Sequence, residues 1–127
     1  MNPEDSREIA PVDHRPKRIA QLHVTEQWLL RRFGLLLRET FPSAIAILHV
    51  GSSVVRQDWR DVDVRIVLTH DDYEMLATVA DVKPLNVALS LWGQRFTQLP
   101  IDCQVQAKRD NDHEAGQPAR SIGGLPR

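Results

Sequence analysis

The sequence predicts a small α/β (α+β) protein in which helices pack on one face of a mixed β-sheet. Three short segments, 44–50, 61–68 and 99–106, are continuously apolar or alternate apolar with polar residues, which is typical of strands. Longer segments before and between them repeat apolar residues at helical spacing. Helices interleaved with strands in this way cover a sheet face and form one core with it.

Length and composition limit the classes of protein that this chain can belong to. Its 127 residues are enough for one domain with a modest core. With 16 basic and 17 acidic side chains the formal net charge is −1, so a nucleic-acid partner is not indicated. One cysteine excludes an internal disulfide framework, and no apolar run reaches membrane-spanning length. The N-terminus lacks the apolar core of a signal peptide, and we therefore expect a cytoplasmic protein without membrane contact.

The chain divides into three predicted regions. Residues 1–17, with three prolines and many charges, are expected to form a flexible N-terminal arm. Residues 18–107 carry the periodic segments and are expected to form the folded domain. Residues 108–127 are rich in turn formers and charge, and we expect a flexible C-terminal tail in which only Ile122 and Leu125 are candidates for local docking.

The first predicted helix runs from Thr25, a favourable N-cap, to Phe41, which precedes the helix-stopping Pro42. Its predicted core-facing stripe is formed by large apolar side chains, namely Trp28, Leu29, Phe33, Leu36 and Leu37. Three arginines lie on the more polar side and are expected to be solvated, namely Arg31, Arg32 and Arg38.

The strand predicted at 44–50 is apolar except for His49, for which a backbone hydrogen-bond partner is expected. Gly51 and Ser52 follow it. If a helix begins there, its free backbone N–H groups form a site for phosphate. In the turn that follows, Arg56 is a candidate clamp for a triphosphate because arginine suits the recognition of oxyanions.

The strand predicted from Asp61 places acidic side chains next to one another. Apolar residues occupy the even positions from Val62 to Leu68, so Asp61, Asp63 and Arg65 share the opposite face. Neighbouring carboxylates repel unless a cation lies between them or one takes up a proton. A hard divalent ion such as Mg²⁺ prefers carboxylate oxygen and commonly keeps substrate phosphates among its ligands. Arg65 offers an alternative, because it can neutralise the carboxylates without any metal.

Two further helices are predicted before the last strand. The first begins near His70 with Asp71 and Glu74 spaced as a capping box, and the second begins at Lys83-Pro84, where proline suits the first turn. In the strand that follows, Asp102 lies on the polar face and Cys103 on the core face. The five histidines show no zinc-like pairing.

These residues carry a resemblance to a known family. A hydrophobic residue, Gly51-Ser52, a short spacer and then Asp61-Val62-Asp63-Val64 resemble the signature of the nucleotidyltransferase superfamily with the DNA polymerase beta fold. The resemblance extends from about residue 45 to 106, with eight residues between Ser52 and Asp61, a slightly shorter spacer than is usual in the family.

The resemblance implies an activity and a set of site residues. It implies that Gly51, Ser52 and the adjacent Ser53 hold the phosphates of a nucleoside triphosphate. It also implies that Asp61 and Asp63 bind two Mg²⁺ or Mn²⁺ ions. Asp102 is then the third carboxylate, either as a ligand of the catalytic metal or as the base. The implied reaction moves a nucleoside monophosphate to an unknown hydroxyl acceptor.

Two other interpretations remain at this stage. The first is a catalytically silent nucleotidyltransferase-like module that binds a nucleotide or a protein partner. Its attraction is size, because no second domain follows to hold the base or the acceptor, and a homo-oligomer or a partner protein would have to supply that surface. The second is a small α/β domain whose aspartates belong to surface ion pairs.

Overall fold

The fold is a small mixed α+β structure built on a four-stranded sheet. A computed structural model of the chain describes residues 23–55, 61–110 and 119–127. The strand order is β3-β2-β1-β4. The elements are α1 (Val24–Thr40), β1 (Ala46–Val50), α2 (Ser52–Val55), β2 (Val62–Leu68), α3 (His70–Val79), α4 (Val82–Thr97), β3 (Ile101–Ala107), a single 3-10 turn (Lys108–Asp110) and β4 (Ala119–Ser121).

The sheet is mixed, as the sequence predicts. β1 runs antiparallel to β2 and to β4, whereas β2 and β3 run parallel. Because β1 points the opposite way, its carboxyl end lies at the same edge of the sheet as the amino ends of β2 and β3. One face of the sheet packs against apolar side chains of α1 and α4 and forms the core, which includes Phe33, Leu37, Ile47, Val64, Ile66, Leu89, Cys103 and Val105. Among the described residues, no helix has the length and apolar character needed to cross a membrane.

Helix α1 begins slightly earlier than expected. The N-cap is His23 and not Thr25, and Glu26 Oε1 accepts a hydrogen bond of 2.9 Å from the His23 N–H. Phe33 and Leu37 of the predicted stripe are fully buried. Trp28 is 58 % exposed, so its assignment to the core is wrong. Its indole instead lies 5.4 Å from the Arg32 guanidinium, an exposed cation–π contact.

Arg38 is buried, which corrects the prediction of a solvated charge. Its side chain is 1 % exposed. Its guanidinium donates at 2.7–3.4 Å to five backbone carbonyls, those of Phe41, Pro42, Ala44, Gly123 and Gly124. Carbonyl oxygens thus replace water around the guanidinium. A buried charge strongly lowers the stability of a protein unless it makes such hydrogen bonds. Arg38 joins the end of α1 to the last residues of the described chain.

The prediction of a flexible tail over 108–127 is wrong for its last part. Residues Ala119–Ser121 form β4, which pairs with β1 from Leu48 to Val50. Ile122 is 4 % exposed and belongs to the core, whereas Leu125 is exposed. Burial of Ile122 together with the strand hydrogen bonds offsets the entropy lost on ordering this segment. Residues 1–17 and 111–118 lie outside the described residues.

Helix α3 is less buried than its sequence pattern indicates. Its N-cap is Thr69, whose hydroxyl accepts from the Asp72 N–H at 3.1 Å, so the predicted Asp71 and Glu74 capping box is not the cap. Met75 and Val79 lie at helical spacing, one turn apart, but are 70 % and 80 % exposed. Only Tyr73 and Leu76 pack against the core.

β3 is an edge strand, and polar side chains of α4 form hydrogen bonds with the backbone groups on its outer side. Asn86, Ser90 and Gln94 recur every four residues and therefore lie on one side of the helix. Their contacts are Val105 N–H to Asn86 Oδ1 at 2.9 Å, Cys103 N–H to Ser90 Oγ at 2.8 Å, Ser90 Oγ to the Cys103 carbonyl at 3.2 Å, and Gln94 Nε2 to the Ile101 carbonyl at 3.0 Å. This polar ladder closes the edge of the sheet to further strand pairing.

Candidate functional site

The end of β1 places Gly51 directly against the carboxylate of Asp63. Gly51 has a φ of +83°, a conformation that residues with a side chain rarely adopt. A Cβ at this position would lie 2.6 Å from Asp63 Oδ2. Glycine is therefore required both by its backbone angle and by the space that the carboxylate occupies. Ser52, the next residue, begins α2.

Asp63 and Asp102 are neighbours across the parallel strands β2 and β3. They are paired residues in the register of the two strands, so their side chains project on the same face. Both are partly exposed. Asp61 is exposed and lies one residue before β2. The Val62 N–H donates to the Pro100 carbonyl at 3.0 Å and holds the two strand entries together. The structure thus brings the three predicted carboxylates and Gly51 to one edge of the sheet.

Arg65 lies on this acidic face, as the alternation predicts, and contacts Asp102. Its side chain is buried, and its Nη2 is 3.8 Å from Asp102 Oδ2. Nη1 also donates to the backbone carbonyls of Asp102 at 3.1 Å and of Val64 at 3.0 Å. The guanidinium is thus fixed by backbone acceptors in a position where it compensates part of the negative charge of Asp102.

The chemistry of these donors fits a hard divalent cation through two carboxylates. No group of three or more histidine, cysteine, aspartate or glutamate side chains converges as a metal site within 23–55, 61–110 and 119–127. Asp61, Asp63 and Asp102 therefore share an edge of the sheet without forming a closed set of three ligands. Mg²⁺ is commonly held by one or two carboxylates with substrate phosphates and water in the other positions. The Asp63 and Asp102 pair meets that requirement.

A cleft of about 580 Å³ opens beside the carboxylates, between the edge of β3 and α4. Asp61 and Asp102 line its acidic side. Lys83 and the polar ladder of α4 line the opposite side, together with the exposed Val87 and Leu91. This volume is within the range of small-molecule sites. The cleft therefore offers a ligand polar contacts, an apolar patch and two carboxylates at one end.

No family model, curated protein or solved structure matches the chain. The nucleotidyltransferase resemblance therefore rests on the motif from Gly51 to Asp63 and on Asp102.

Ser53 and His49 form a buried pair that the sequence analysis did not anticipate. Ser53 Oγ lies 2.6 Å from His49 Nε2, and both side chains are buried. The predicted backbone partner of His49 is therefore a side chain, and the Ser53 hydroxyl is occupied there, not exposed for phosphate. Burial, and to a lesser extent the charge of Arg120, lowers the pKa of His49 from 6.5 to about 4. His49 is neutral at pH 7.

Cys103 and Arg56 are the remaining residues that the sequence analysis singled out. Cys103 is buried in the core, as expected, and burial raises the pKa of its thiol to about 12. A thiol with that pKa carries almost no thiolate, the nucleophilic form, at neutral pH. Arg56, the predicted triphosphate clamp, lies outside the described residues.

Sequence reasoning missed the arginine that faces His49. Arg120 of β4 is paired with His49 across the two strands, and its Nη1 donates to Gln27 Oε1 of α1 at 3.2 Å. No signal in the sequence marks this contact, because Arg120 lies in a segment without periodicity. The α4 ladder, in contrast, had a readable signal in its four-residue spacing of polar side chains.

Proposed function

We propose that this protein is a metal-dependent nucleotidyltransferase that moves a nucleoside monophosphate from a nucleoside triphosphate to a hydroxyl acceptor. The observation that carries the proposal is the meeting of Gly51, Asp63 and Asp102 at one edge of the sheet. Gly51 lets the Asp63 carboxylate lie against the backbone just before α2, and the carboxylates supply hard oxygen ligands.

Each residue has a separate role in this proposal. Asp63 and Asp102 would hold Mg²⁺ or Mn²⁺ with Asp61 beside them, and the cation would supply charge neutralisation for the phosphates. Gly51 and Ser52 provide backbone N–H groups for the triphosphate. Asp102 accepts the proton of the acceptor hydroxyl, whose oxygen forms a bond to the α-phosphorus. The bond from that phosphorus to the β-phosphate oxygen breaks, and pyrophosphate leaves with the electron pair.

Arg65 holds the Asp102 carboxylate in place in this scheme. The guanidinium is 3.8 Å from the Asp102 carboxylate and is fixed by two carbonyl acceptors. A guanidinium fixed in this way orients the carboxylate and compensates part of its negative charge. We assign Arg65 as a positioning residue.

The 580 Å³ cleft is the proposed acceptor site. It begins at Asp61 and Asp102 and continues along α4, so an acceptor bound in it would present a hydroxyl to the carboxylates. Its mixture of polar side chains with the exposed Val87 and Leu91 suits a small hydroxylated molecule or a partner protein. A homo-oligomer or partner chain is the proposed source of any further acceptor surface. The cytoplasm, which supplies nucleoside triphosphates and Mg²⁺, is the proposed location.

The experiment that tests this proposal is a thermal-unfolding screen with the eight common ribonucleoside and deoxyribonucleoside triphosphates, each with Mg²⁺ and with EDTA. A ligand that binds only the folded state raises the midpoint by mass action. We expect a Mg²⁺-dependent rise for wild type that Asp63→Asn abolishes. Asp81→Asn is the matched control, since Asp81 is exposed and its side chain makes no capping bond. Equal shifts in Asp63→Asn and wild type would contradict the proposal.

A second candidate function is a catalytically silent module that binds nucleotide or a partner protein without metal. The contact of Arg65 with Asp102 favours it, because this arginine already compensates one of the carboxylates. In that case the shift in midpoint persists in EDTA and in Asp102→Asn. Release of pyrophosphate with Mg²⁺, lost in Asp63→Asn and retained in Asp81→Asn, would instead establish the transferase.

A further inference from the structure

A second cavity, of about 310 Å³, lies on the opposite face of the sheet from the carboxylates. It is enclosed by α1, β1 and β4. His49 is paired with Val64 of β2 and with Arg120 of β4, so these three side chains lie on the face that the helices cover. Asp63, one residue before Val64, projects from the other face. The lining residues are Gln27, Leu30, Arg31, His49, Arg120 and Ile122.

The described residues that line the cavity include two positive charges and no carboxylate. Arg31 comes from α1 and Arg120 from β4. The structure records no ion pair for either arginine within the described part of the chain, and the partner of Arg120 is the neutral Gln27 at 3.2 Å. Leu30 and Ile122, both buried, form an apolar wall that excludes water from one side. Two positive charges beside an apolar wall attract an anion more strongly than the same two charges would in water.

His49 adds a buried imidazole, and only one of its two ring nitrogens has a hydrogen-bond partner among the described residues. It is 1 % exposed, and its Nε2 is bonded to Ser53 Oγ at 2.6 Å. For the other ring nitrogen, Nδ1, no hydrogen-bond partner is present among the residues that the structure describes. Buried polar atoms in native proteins nearly always have a partner, which is otherwise a bound water, ion or ligand. Burial, and to a lesser extent the charge of Arg120, lowers the pKa of His49, so the imidazole is neutral at pH 7.

We propose that this cavity binds the phosphoryl group of a small molecule, with Arg31 and Arg120 contacting its oxygens and His49 completing the contacts. Two guanidinium groups balance the charge of a phosphate dianion, and their planar sets of N–H donors match its several oxygens. The volume is at the lower end of small-ligand sites, which suits a phosphomonoester. The proposal does not rest on the nucleotidyltransferase function.

The test is a calorimetric titration of the full chain with inorganic phosphate and with pyrophosphate, at an ionic strength held constant with sodium chloride and with EDTA present. We expect saturable binding at one site for wild type. Arg120→Gln should weaken it at least tenfold, and Arg31→Gln should weaken it as well. The matched control is Arg32→Gln, because Arg32 is the next residue on the same helix and its guanidinium lies over Trp28, outside this cavity.

A second measurement separates this site from the carboxylate edge. Binding of phosphate beside His49 should raise the pKa of that imidazole, which its NMR resonances report. Asp63→Asn should leave both the binding and this pKa change intact, whereas a nucleotide site at the other face would lose affinity. If Arg120→Gln does not fold, Arg31→Gln still decides the question, since Arg31 is exposed. No saturable binding by wild type, equal weakening by Arg32→Gln, or loss in Asp63→Asn would each overturn the proposal.

Discussion

At the scale of single residues, Gly51 is constrained both by its backbone angle and by its neighbour Asp63. Its positive φ strains any residue with a Cβ, and its contact with Asp63 leaves no room for one. These two causes can be separated, because Gly124 also has a positive φ, of 70°, but has no atom within 4 Å of where a Cβ would lie.

We therefore predict different costs for alanine at the two glycines. Gly124→Ala should cost about 1–2 kcal/mol of unfolding free energy, the price of the left-handed conformation alone. Gly51→Ala should cost about 1–3 kcal/mol more, since Asp63 must also move. Urea unfolding measures both. Equal losses of unfolding free energy at the two positions would show that the carboxylate does not restrict Gly51. The same follows if Gly51→Ala costs as much in an Asp63→Ala background as in wild type.

His49 predicts a pH dependence with a definite sign. Its folded pKa of about 4 lies below the unfolded value of 6.5, so the unfolded chain takes up the proton first as the pH falls. The contribution to stability is complete above pH 6.5 and is lost between pH 6.5 and 4. Its size is on the order of 3 kcal/mol, from the difference between the two pKa values.

The measurement is the unfolding free energy between pH 4 and 7.5, together with the NMR titration of His49 in wild type. We expect a midpoint near pH 4 for the folded protein. His49→Gln should flatten the pH dependence. An imidazole midpoint near 6.5 in the folded protein would refute the prediction.

At the scale of secondary-structure elements, α4 both packs on the core and satisfies the edge of β3. Ser90 has the central place, because its hydroxyl bonds both the N–H and the carbonyl of Cys103. An apolar substitution would leave those two backbone groups without these bonds. The helix thus supplies the hydrogen bonds that a neighbouring strand would otherwise form with the backbone of β3.

We predict that Ser90→Ala lowers the unfolding free energy by about 1–3 kcal/mol, the usual cost of an unsatisfied backbone group. Amide exchange of Cys103 should become faster at the same time. Ser43→Ala is the control, since the Ser43 hydroxyl is exposed and makes one long contact of 3.4 Å with Asp72. If Ser90→Ala costs no more than the control and the Cys103 amide stays protected, water replaces the hydroxyl without loss.

The comparison of sequence with structure is also clearest for single elements. β1 was predictable as a short apolar run, and β2 and β3 from their alternation, because both are local patterns. The register that pairs Asp63 with Asp102 then brings their side chains and Arg65 to one face. β4 was not, since three residues paired to a distant strand leave no periodic signal. In the site, the carboxylates were predictable, whereas the bond between Ser53 and His49 depends on how α2 folds back on β1.

At the scale of the whole molecule, Arg38 joins the two ends of the described domain. A charged side chain near a helix end is normally solvated, so sequence alone predicted exposure. Its carbonyl partners Gly123 and Gly124 lie 85 and 86 residues further along the chain, and no local pattern reveals a contact over that distance.

We predict that Arg38→Met lowers the unfolding free energy by about 2–4 kcal/mol, because buried carbonyls lose a charged donor. Arg38→Lys should restore little, since one ammonium cannot reach five acceptors. Arg95→Met on exposed α4 surface is the control. Hydrogen exchange should show β4 losing protection in Arg38→Met. A stability equal to that of the control would mean that the guanidinium only fills space.

The same contact sets an order of events during synthesis on the ribosome. Residues leave the exit tunnel in chain order, so α1 emerges while Gly123 and Gly124 have yet to be translated. Until they appear, Arg38 has only the acceptors that lie close to it in sequence, Phe41, Pro42 and Ala44. The set of carbonyl acceptors around Arg38 is therefore completed only after residue 124 has cleared the tunnel, and Ile122, the last core residue of the described chain, becomes available at the same stage.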